Sequence, residues 1–345
     1  MGGTSIIALD AMSGDRGPEV AAAAALSSLA QHPTLSLIVV GQRQTLEPLL
    51  APGRDRFDSR LRIEHAAEVV AMEEAPRDAL RKKRDSSMRV AINLVKDGQA
   101  NACVSAGNTG ALMATARYVL KTLDGIDRPA IASPIPAIGG HTYMLDLGAN
   151  ADCTSEHLLQ FAIMGHVVAA DISGVSQPRI GLLNIGEEEI KGTEMIRSAA
   201  GLIGASGLNY VGFVEGDDIF NGSVDVVVSD GFTGNVSLKT MEGAAHMVSQ
   251  FMRDEFTRTW FTRVLGLTAL PVIRALKVKL DPRRYNGASL VGLRGIVIKS
   301  HGGADEVALA NAIATALLEV QKGVPTRISE LAQRIQGQLA LTASN

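Results

Sequence analysis

Cysteines, aromatic residues and long apolar runs are scarce in this sequence, and each shortage excludes a class of protein. The 345 residues include two cysteines, Cys103 and Cys153, too few for a disulfide framework and typical of a reducing compartment. Aromatic side chains make up 4%, which disfavours an aromatic-rich β-sandwich, and the net charge of −3 disfavours a nucleic-acid-binding protein. No uncharged apolar run reaches the about 18 residues of a membrane span, and residues 1–5 lack the basic start of a signal peptide. We expect a cytoplasmic enzyme, and binding to a membrane surface stays open.

The sequence also lacks the signatures of several enzyme and metal-site classes. It contains no P-loop, no G-x-G-x-x-G dinucleotide motif, no G-x-S-x-G elbow, no H-E-x-x-H and no C-x-x-C. We therefore predict neither a cofactor nor a metal site, although the acids at strand ends are compatible with a bound Mg²⁺. Both cysteines lie in apolar surroundings that favour core positions.

What the sequence does contain is an alternation of apolar strands with helices. Hydrophobic residues make up 46% and glycine contributes 35 residues, which suits α/β layers with tight turns. The pattern predicts a helix over Ala75–Lys96 and strands at 5–10, 35–40, 61–64, 102–105, 142–147, 180–185, 224–229 and 295–299. This order predicts an α/β fold with a mostly parallel sheet. At roughly 150 residues per domain, we predict two lobes, 1–150 with 295–345 and 151–294.

Loops rich in Gly, Asn and Asp follow four of these strands, where open α/β sheets bind ligands. The loop Ser105–Gly110 precedes a helix, so its N–H groups predict an anion site or, alternatively, a capped tight turn. The loop Gly186–Gly192 carries three successive Glu that we expect in a first helical turn. Its Lys191 either directs a positive charge at a phosphate or oxyanion or pairs with a Glu at the surface. Asn235, which ends the loop from Asp230, either caps a helix or donates to an oxyanion.

Carboxylates and a histidine at the same strand ends are further candidates. Asp10 follows the first strand and either caps a turn or orients Lys191, and Asp146 offers the same alternatives. His301 follows the strand at 295–299 and either reaches the ligand cleft or is structural.

Residues 251–284 depart from this pattern. They carry eight Lys or Arg against three Asp or Glu, and they include Trp260, the one tryptophan of the chain. Two interpretations stay open for the amphipathic helices at 244–284. A protruding basic hairpin would bind an anionic lipid surface, and a helix pair with an apolar stripe would form a dimer interface.

Eight strings, in their order and spacing, resemble one family over roughly residues 5–335. They are Asp10-Ala11-Met12, RKKRDSSM from Arg81, VSAGNTGALMA from Val104, DLGANADC from Asp146, NIGEEEIKG from Asn184, VEGDDI from Val214, DGFTGN from Asp230 and KSHGG from Lys299. Together they resemble the phosphate acyltransferases of bacterial phospholipid synthesis, the PlsX type. The first string departs from the family's usual DAMGGD, because Ser13 replaces the first Gly of that loop.

The resemblance implies the fold and the reaction. The fold is a three-layer α/β/α sandwich like those of isopropylmalate dehydrogenases and phosphotransacetylases, here with a protruding helical hairpin. The reaction transfers a fatty acyl group from acyl carrier protein to inorganic phosphate and gives acyl-phosphate, without a cofactor. Members of the family are homodimers in the cytoplasm that associate peripherally with the membrane.

The loops fit that chemistry, because phosphate attack on a thioester needs an anion site and an oxyanion stabiliser but no activated Ser or Cys. We predict that phosphate binds Ser105, Gly107, Asn108, Thr109 and Gly110. The predicted catalytic residues are Lys191 and Asn235 for the oxyanion and Asp10 and His301 for orientation or proton transfer. The predicted substrate-binding residues are Asp146, Asn150, Glu188, Asp230, Gly231 and Gly234.

Two surfaces complete the prediction. Carrier protein is acidic, so Arg81, Lys82, Lys83 and Arg84 are predicted to dock it, with the basic run 274–284 or a merely solvated face as alternatives. The predicted membrane contacts, at the tip of the hairpin, are Trp260, Leu265, Leu267, Leu270 and Ile273.

Three rival functions stay open at this point. A phosphotransacetylase that acts on acyl-CoA would use the same loops, and residues alone do not separate carrier protein from CoA. A dehydrogenase on the same fold would need a dinucleotide site for which we find no motif. A membrane-surface scaffold of lipid synthesis is disfavoured by the polar loops at four strand ends.

Overall fold

Strands and helices alternate along the chain, as the sequence predicts. The computed structural model describes residues 4–279 and 281–343. The side chains of residues 276–280, part of the predicted basic segment, lie outside the described residues. The strands are β1 (Ser5–Asp10), β2 (Leu35–Gly41), β3 (Leu61–His65), β4 (Ala102–Ser105), β5 (Ala130–Ala137), β6 (Gly140–Leu145), β7 (Ile180–Leu183), β8 (Tyr210–Val214), β9 (Val226–Val228), β10 (Ala288–Val291) and β11 (Ile296–Lys299). The helices are α1 (Gly17–Gln31), α2 (Arg43–Phe57), α3 (Pro76–Lys82), α4 (Ser87–Lys96), α5 (Thr109–Leu120), α6 (Ser155–Ser173), α7 (Glu194–Ala205), α8 (Asp218–Asn221), α9 (Gly231–Thr257), α10 (Trp260–Lys279), α11 (Glu306–Lys322) and α12 (Val324–Ala343).

The strands form one sheet that reverses direction at its centre. Its order is β3-β2-β1-β4-β11-β10-β5-β6-β9-β7-β8. β1 to β4 and β11 pair in parallel, and we call them the first half; β6 to β9 pair in parallel and form the second half. The three pairings at the centre, β11 with β10, β10 with β5 and β5 with β6, are antiparallel. The strands of the two halves therefore run in opposite directions, and their carboxyl ends lie at opposite edges of the sheet.

Helices cover both faces of the sheet, which confirms the three-layer α/β/α prediction. Successive residues of a strand point to opposite faces, so Ile7 and Leu9 of β1 pack against α1, α2 and α11, whereas Ala8 packs against α4 and α5. In the second half, α6, α7 and α12 cover one face, and α8 and the start of α9 cover the other. Both faces are buried, as is usual for parallel strands.

Two local predictions need correction, and one helix was not predicted. The predicted helix Ala75–Lys96 is two helices, α3 and α4, because Asp85 and Ser86 pair with Glu68 instead and Ser86 Oγ caps α4 by accepting from Arg89 N at 3.3 Å. Helix α2 was not predicted, since it contains two prolines; its buried face stabilises it. The three Glu of residues 187–189 lie in a loop, because α7 begins only at Glu194.

The predicted lobe boundaries stay a prediction, since one sheet runs through the whole chain. The packing assigns some elements differently. β5 and β6, which the sequence analysis placed in the first lobe, share hydrophobic clusters with the second half. α12, also predicted there, packs against α6.

The second part of α9 and all of α10 form the protruding hairpin. No residue from 243 to 275 is buried, and the helix that α10 packs against is α9. Trp260 begins α10 beside the turn and is 78% exposed, and Leu265 and Leu267 are also exposed. Leu270 and Ile273 are half-buried. Ile273 lies about 20 Å further along the helix than Trp260, so Trp260 lies at the tip of the hairpin and Ile273, which was also predicted there, does not.

No single helix in residues 4–279 and 281–343 has the length and apolar character to cross a membrane. α11 with the following segment Val324–Leu341 meets that test as a pair bent by 52°, by length and composition alone. Core helices of other proteins meet it equally, and both helices supply buried residues to the hydrophobic clusters.

Candidate active site

Asp10, Ser105 and Lys299 end three adjacent strands and lie side by side. The register pairs Asp10 with Ser105, and Ser105 with Lys299. Ser105 Oγ donates to Asp10 Oδ2 at 2.6 Å, and both side chains are buried. Lys299 Nζ donates to the carbonyl oxygen of Ala106 at 3.5 Å and to that of Ser300. An acid, a hydroxyl and a cation therefore meet at the carboxyl edge of the first half.

Lys299 is the functional candidate that the sequence analysis missed. Burial lowers the pKa of Lys299 to about 8; the carboxylates of Asp15 and Asp10 act in the opposite direction, and the charge of Lys239 lowers it further. A lysine that is partly desolvated among charged groups at a strand end is a candidate for function. In the sequence Lys299 ends an apolar strand and begins the string KSHGG, but its neighbours in the fold come from strands far away along the chain.

The loop after β4 presents free amides at the start of α5. Asn108 caps the helix, because its Oδ1 accepts from Ala111 N at 2.9 Å. Within the described part of the chain, the amides of Asn108, Thr109 and Gly110 have no hydrogen-bond acceptor. Free N–H groups and the positive end of the helix dipole make this N-terminus a site for an anion.

The other polar groups of this loop hold its shape. Gly107 N donates to Ser105 Oγ at 3.1 Å. Asn108 Nδ2 donates to the carbonyl oxygens of Met72 and Glu74. The side chains of Ser105 and Asn108, both predicted phosphate ligands, thus already have partners in the protein, whereas the backbone amides after them do not.

Ser13 provides an independent indication of a ligand at the same place. Its side chain is 7% exposed, and its Oγ is buried without a hydrogen-bond partner. The Oγ lies 2.9 Å from the position that a Cβ on Gly107 would occupy, so it faces the loop. A buried hydroxyl without a partner costs about 1–3 kcal/mol, and a bound anion would satisfy it.

His301 lies in the loop after β11 and belongs to the same group of residues. Asp15 N donates to Gly302 O at 2.9 Å, which joins this loop to the one after β1. His301 Nδ1 accepts from Gly303 N at 3.1 Å, so the neutral ring carries its proton on Nε2. The ring is exposed and Nε2 is available to a ligand.

The predicted substrate residues of the second half form a tightly bonded cluster. Asp146 is buried and accepts five hydrogen bonds, from the amides of Ile131, Gly148, Ala149 and Asn150 and from Asn150 Nδ2. Burial raises the pKa of Asp146, and these bonds oppose that shift. The carboxylate therefore organises the loop.

Asp230 and two glycines join this cluster to α9. Asp230 caps the helix by accepting from Thr233 N at 2.8 Å, so Asn235 is not the cap. Gly231 N donates to Asn150 O at 2.8 Å. A Cβ on Gly234 would overlap the carbonyl oxygen of Asp146, so only glycine allows this approach.

Asn235 and Lys191 are the exposed groups of the second half. Asn235 lies in the second turn of α9, with its Oδ1 3.5 Å from the position of a Cβ on Gly148. Lys191 Nζ forms an ion pair with Glu188 at 2.7 Å, and this bond raises the pKa of Lys191. Both stay candidates for the oxyanion.

The structure brings the predicted residues together in three groups rather than one. Asp10, Ser105, the loop to Gly110 and His301 meet at the first-half edge. The Asp146 cluster and Asn235 form a second group, and Lys191 with Glu188 a third. No hydrogen bond or ion pair within residues 4–279 and 281–343 joins Lys191 to the first group. Helix α9 connects the first group with the second. It carries Asn235 and, about 6 Å further along the helix, Lys239, whose positive charge lowers the pKa of Lys299.

No three His, Cys, Asp or Glu side chains of the described chain gather closely enough to hold a metal ion. The predicted absence of a metal stays a prediction. The predicted docking run begins at the end of α3 with Arg81 and Lys82, and Lys82 pairs with Asp78 at 3.3 Å.

Comparison with known proteins identifies the family. A family profile described as "Fatty acid synthesis protein" matches residues 6–327. A phosphate acyltransferase from Alkalilimnicola ehrlichii is 60% identical over 98% of both chains. Another from Methylococcus capsulatus is 60% identical over 94% of this chain and 96% of the relative.

Solved structures confirm the fold class. A phosphotransacetylase from Streptococcus pyogenes has a TM-score of 0.61 at 17% identity and covers 92% of this chain and 94% of its own. The EutD phosphotransacetylase from Staphylococcus aureus has a TM-score of 0.57 at 16% identity, with the same coverage. These two structures show only that the fold is shared, whereas the two relatives at 60% sequence identity show the family. The chain belongs to the phosphate acyltransferase family and is an acyltransferase.

Proposed function

We propose that this acyltransferase moves a fatty acyl group from acyl-[acyl carrier protein] to inorganic phosphate and releases acyl-phosphate for phospholipid synthesis. The observation that carries the proposal is the group of unsatisfied donors at the first-half edge. The free amides of residues 108–110 and Ser13 Oγ converge at a helix N-terminus, next to the charge of Lys299. Such a site suits a compact, doubly charged oxyanion.

The reaction needs little more than positioning and charge. A phosphate oxygen attacks the thioester carbonyl carbon, a tetrahedral oxyanion forms, and the C–S bond breaks with its electron pair leaving on sulfur. Because a thiol has a pKa of about 8.5, the thiolate leaves without a strong general acid. Phosphate is itself the nucleophile, so no activated Ser or Cys is required.

Each residue has a role in this proposal. The amides of 108–110 and Ser13 hold the phosphate, and Lys299 offsets its charge. Asp10 is a positioning residue that acts through Ser105. Asn235 and Lys191 donate to the oxyanion, and His301 gives or takes the proton.

Acyl transfer from palmitoyl-carrier protein tests the proposal directly. Purified protein is mixed with palmitoyl-carrier protein with and without phosphate, and free carrier thiol and acyl-phosphate are followed. We expect both products only when phosphate is present. Reaction with palmitoyl-CoA alone would favour a phosphotransacetylase instead. If neither palmitoyl-carrier protein nor palmitoyl-CoA is consumed while the protein still binds liposomes, a scaffold is favoured.

We also propose that the protein is cytoplasmic and associates peripherally with anionic membranes through the hairpin tip. Exposed apolar side chains and basic residues on one helix pair support this, since such helices bind headgroup surfaces. Flotation with anionic liposomes tests it. Leu267→Glu should lower the bound fraction, whereas Val307→Glu, at an exposed apolar position of α11, should leave it unchanged.

A homodimer is the last part of the proposal. Met247, Val248 and Phe251 are at least half exposed on α9, and such side chains are often covered in an assembly. Light scattering after gel filtration should give twice the chain mass of 36.3 kDa. A Phe251→Glu variant that remains a dimer would exclude this face as the interface.

A further inference from the structure

The exposed face of α5 forms a hollow lined by cations and a tyrosine. Residues 114, 117, 118 and 121 follow one another at helical spacing, so they share a face of the helix. With Thr122 they line a hollow of about 450 Å³. The hollow lies on the outer side of α5, away from the sheet.

Tyr118 is the centre of this surface. Its side chain is 55% exposed. The guanidinium carbon of Arg89 lies 5.2 Å from the ring centroid, and Lys121 Nζ lies 4.9 Å from it. Two cations at this distance interact with the ring, which restrains both side chains near the hollow.

The cations of this surface have no ion-pair partner among the described residues. Arg84, Arg89, Arg117 and Lys121 form no ion pair with any described carboxylate, whereas Arg294 nearby pairs with Asp124 at 2.8 Å. Arg84 is close enough to Arg89 to lower the pKa of Arg89, which burial also lowers. Gathered like charges repel, and an anionic partner would relieve that repulsion. We call Arg84, Arg89, Arg117, Tyr118 and Lys121 the α5 platform.

The platform and the anion site lie on one helix. α5 begins at Thr109, and Lys121 follows twelve residues later, about 18 Å along the helix axis. Gly110, which has no side chain, and Ala114, which has only a methyl group, continue the same face towards the anion site. α3 and α4 both pack against α5, so the predicted docking run at residues 81–84 reaches the platform and shares Arg84 with it.

We infer that the α5 platform binds the acidic surface of the acyl carrier protein and that the carrier's thioester arm lies along α5 from the platform to Gly110. This rests on the proposed function for the identity of the acyl donor. It moves the centre of docking from the run 81–84 to a surface that keeps Arg84 from that run and adds residues of α4 and of the C-terminal part of α5. Charge complementarity selects an acidic protein, and the separation from the anion site leaves room for a flexible arm.

Charge reversal on the platform tests the inference. In Arg117→Glu/Lys121→Glu, the KM for palmitoyl-carrier protein should rise about tenfold or more relative to the KM for palmitoyl-pantetheine, a donor without the protein. The matched control is Lys322→Glu/Arg334→Glu, two exposed cations without ion pairs on the opposite helix layer. It should change neither constant.

The wild-type enzyme provides a second measurement that needs no variant. Added salt should raise the KM for palmitoyl-carrier protein more than the KM for palmitoyl-pantetheine, because exposed charges are screened. Equal salt effects on both donors, or an unchanged ratio of KM values in the charge reversal, would overturn the docking surface. Failure of the proposed function shows separately, as a wild-type enzyme that does not turn over palmitoyl-carrier protein.

Discussion

The two halves of the sheet end in loops of similar composition, but their polar groups are satisfied to different degrees. In the second half, Asp146 accepts five hydrogen bonds and Asp230 caps α9, and one buried hydroxyl of this cluster, Ser229 Oγ, has no partner among the described residues. In the first half, the amides of residues 108–110 and Ser13 Oγ have no acceptor among the described residues. Satisfied groups hold a backbone in place, whereas unsatisfied buried groups are available to a ligand. Among loops rich in Gly, Asn and Asp, those with hydrogen-bond donors that have no partner are therefore the candidates for ligand binding, and those with satisfied donors hold the backbone in place.

The largest effect is expected where the second-half cluster is broken. Gly234→Ala places a Cβ on the carbonyl oxygen of Asp146, and we expect a loss of about 3 kcal/mol or more in the free energy of unfolding. Urea denaturation followed by circular dichroism measures it. Gly243→Ala is the matched control on the same helix, with open space around the new methyl, and should be neutral or slightly stabilising. Equal stability of the two variants would contradict the scaffold role.

Removing the cation of the first half should affect catalysis rather than folding. Lys299→Met should lower kcat/KM for phosphate about 100-fold, as loss of a preorganised charge does, with an unchanged unfolding midpoint. Because the pKa of Lys299 is about 8, its charge is present below that pH, and wild-type activity should fall as pH rises through 8. Lys239→Met removes a charge that lowers this pKa and should move the alkaline limb upward. If the activity of Lys299→Met still falls as pH rises through 8, the ionisation that causes the fall belongs to another group.

A buried acid between the halves gives a smaller, pH-dependent effect. Glu319 has one hydrogen bond, from Ser289 Oγ at 3.1 Å, and burial raises its pKa to about 7. The folded protein keeps this proton up to about pH 7, while the unfolded chain loses it near pH 4.5, so stability falls as pH rises between these values. Glu319→Gln should raise the free energy of unfolding by about 2 kcal/mol at pH 8 and little at pH 4.5. A gain that is equal at both pH values would mean that ionisation is not its cause.

The smallest effect concerns one hydroxyl. Ser13→Ala removes a donor that we assign to phosphate, and a hydrogen bond contributes about 0.5–1.5 kcal/mol. The KM for phosphate should therefore rise about three- to tenfold. Ser28→Ala removes another buried hydroxyl without a partner, in α1, and should leave that KM unchanged. If both variants behave alike, Ser13 is a core residue only.

Local pattern predicted much of the fold but not the direction of its strands. The strand Ser5–Asp10 and the helix after Asn108 follow from apolar runs and capping residues close together in sequence. Helix α2 was not predicted because Pro48 and Pro52 oppose helix formation. Packing of its buried face offsets the unfavourable effect of the two prolines. The reversal at β10 depends on pairings between distant segments, which no local pattern contains.

The same limit applies to the site. The loop Ser105–Gly110 was predicted because a strand, glycines and a helix start are adjacent in sequence. Lys299 was missed because its significance comes from register, which sets it beside Ser105 and Asp10.

The central position of β11 in the sheet has a consequence for the time at which the nascent chain becomes active during translation. β11 pairs with β4, about 200 residues earlier in the chain, and supplies Lys299. A nascent chain that has released the whole first half as far as α5 still lacks this strand and its charge. Pairing of such distant segments is slow, and domains otherwise tend to fold as they emerge. With the role proposed for Lys299, acyl transfer begins only after almost the entire chain has been translated, and we expect products truncated before β11 to be inactive.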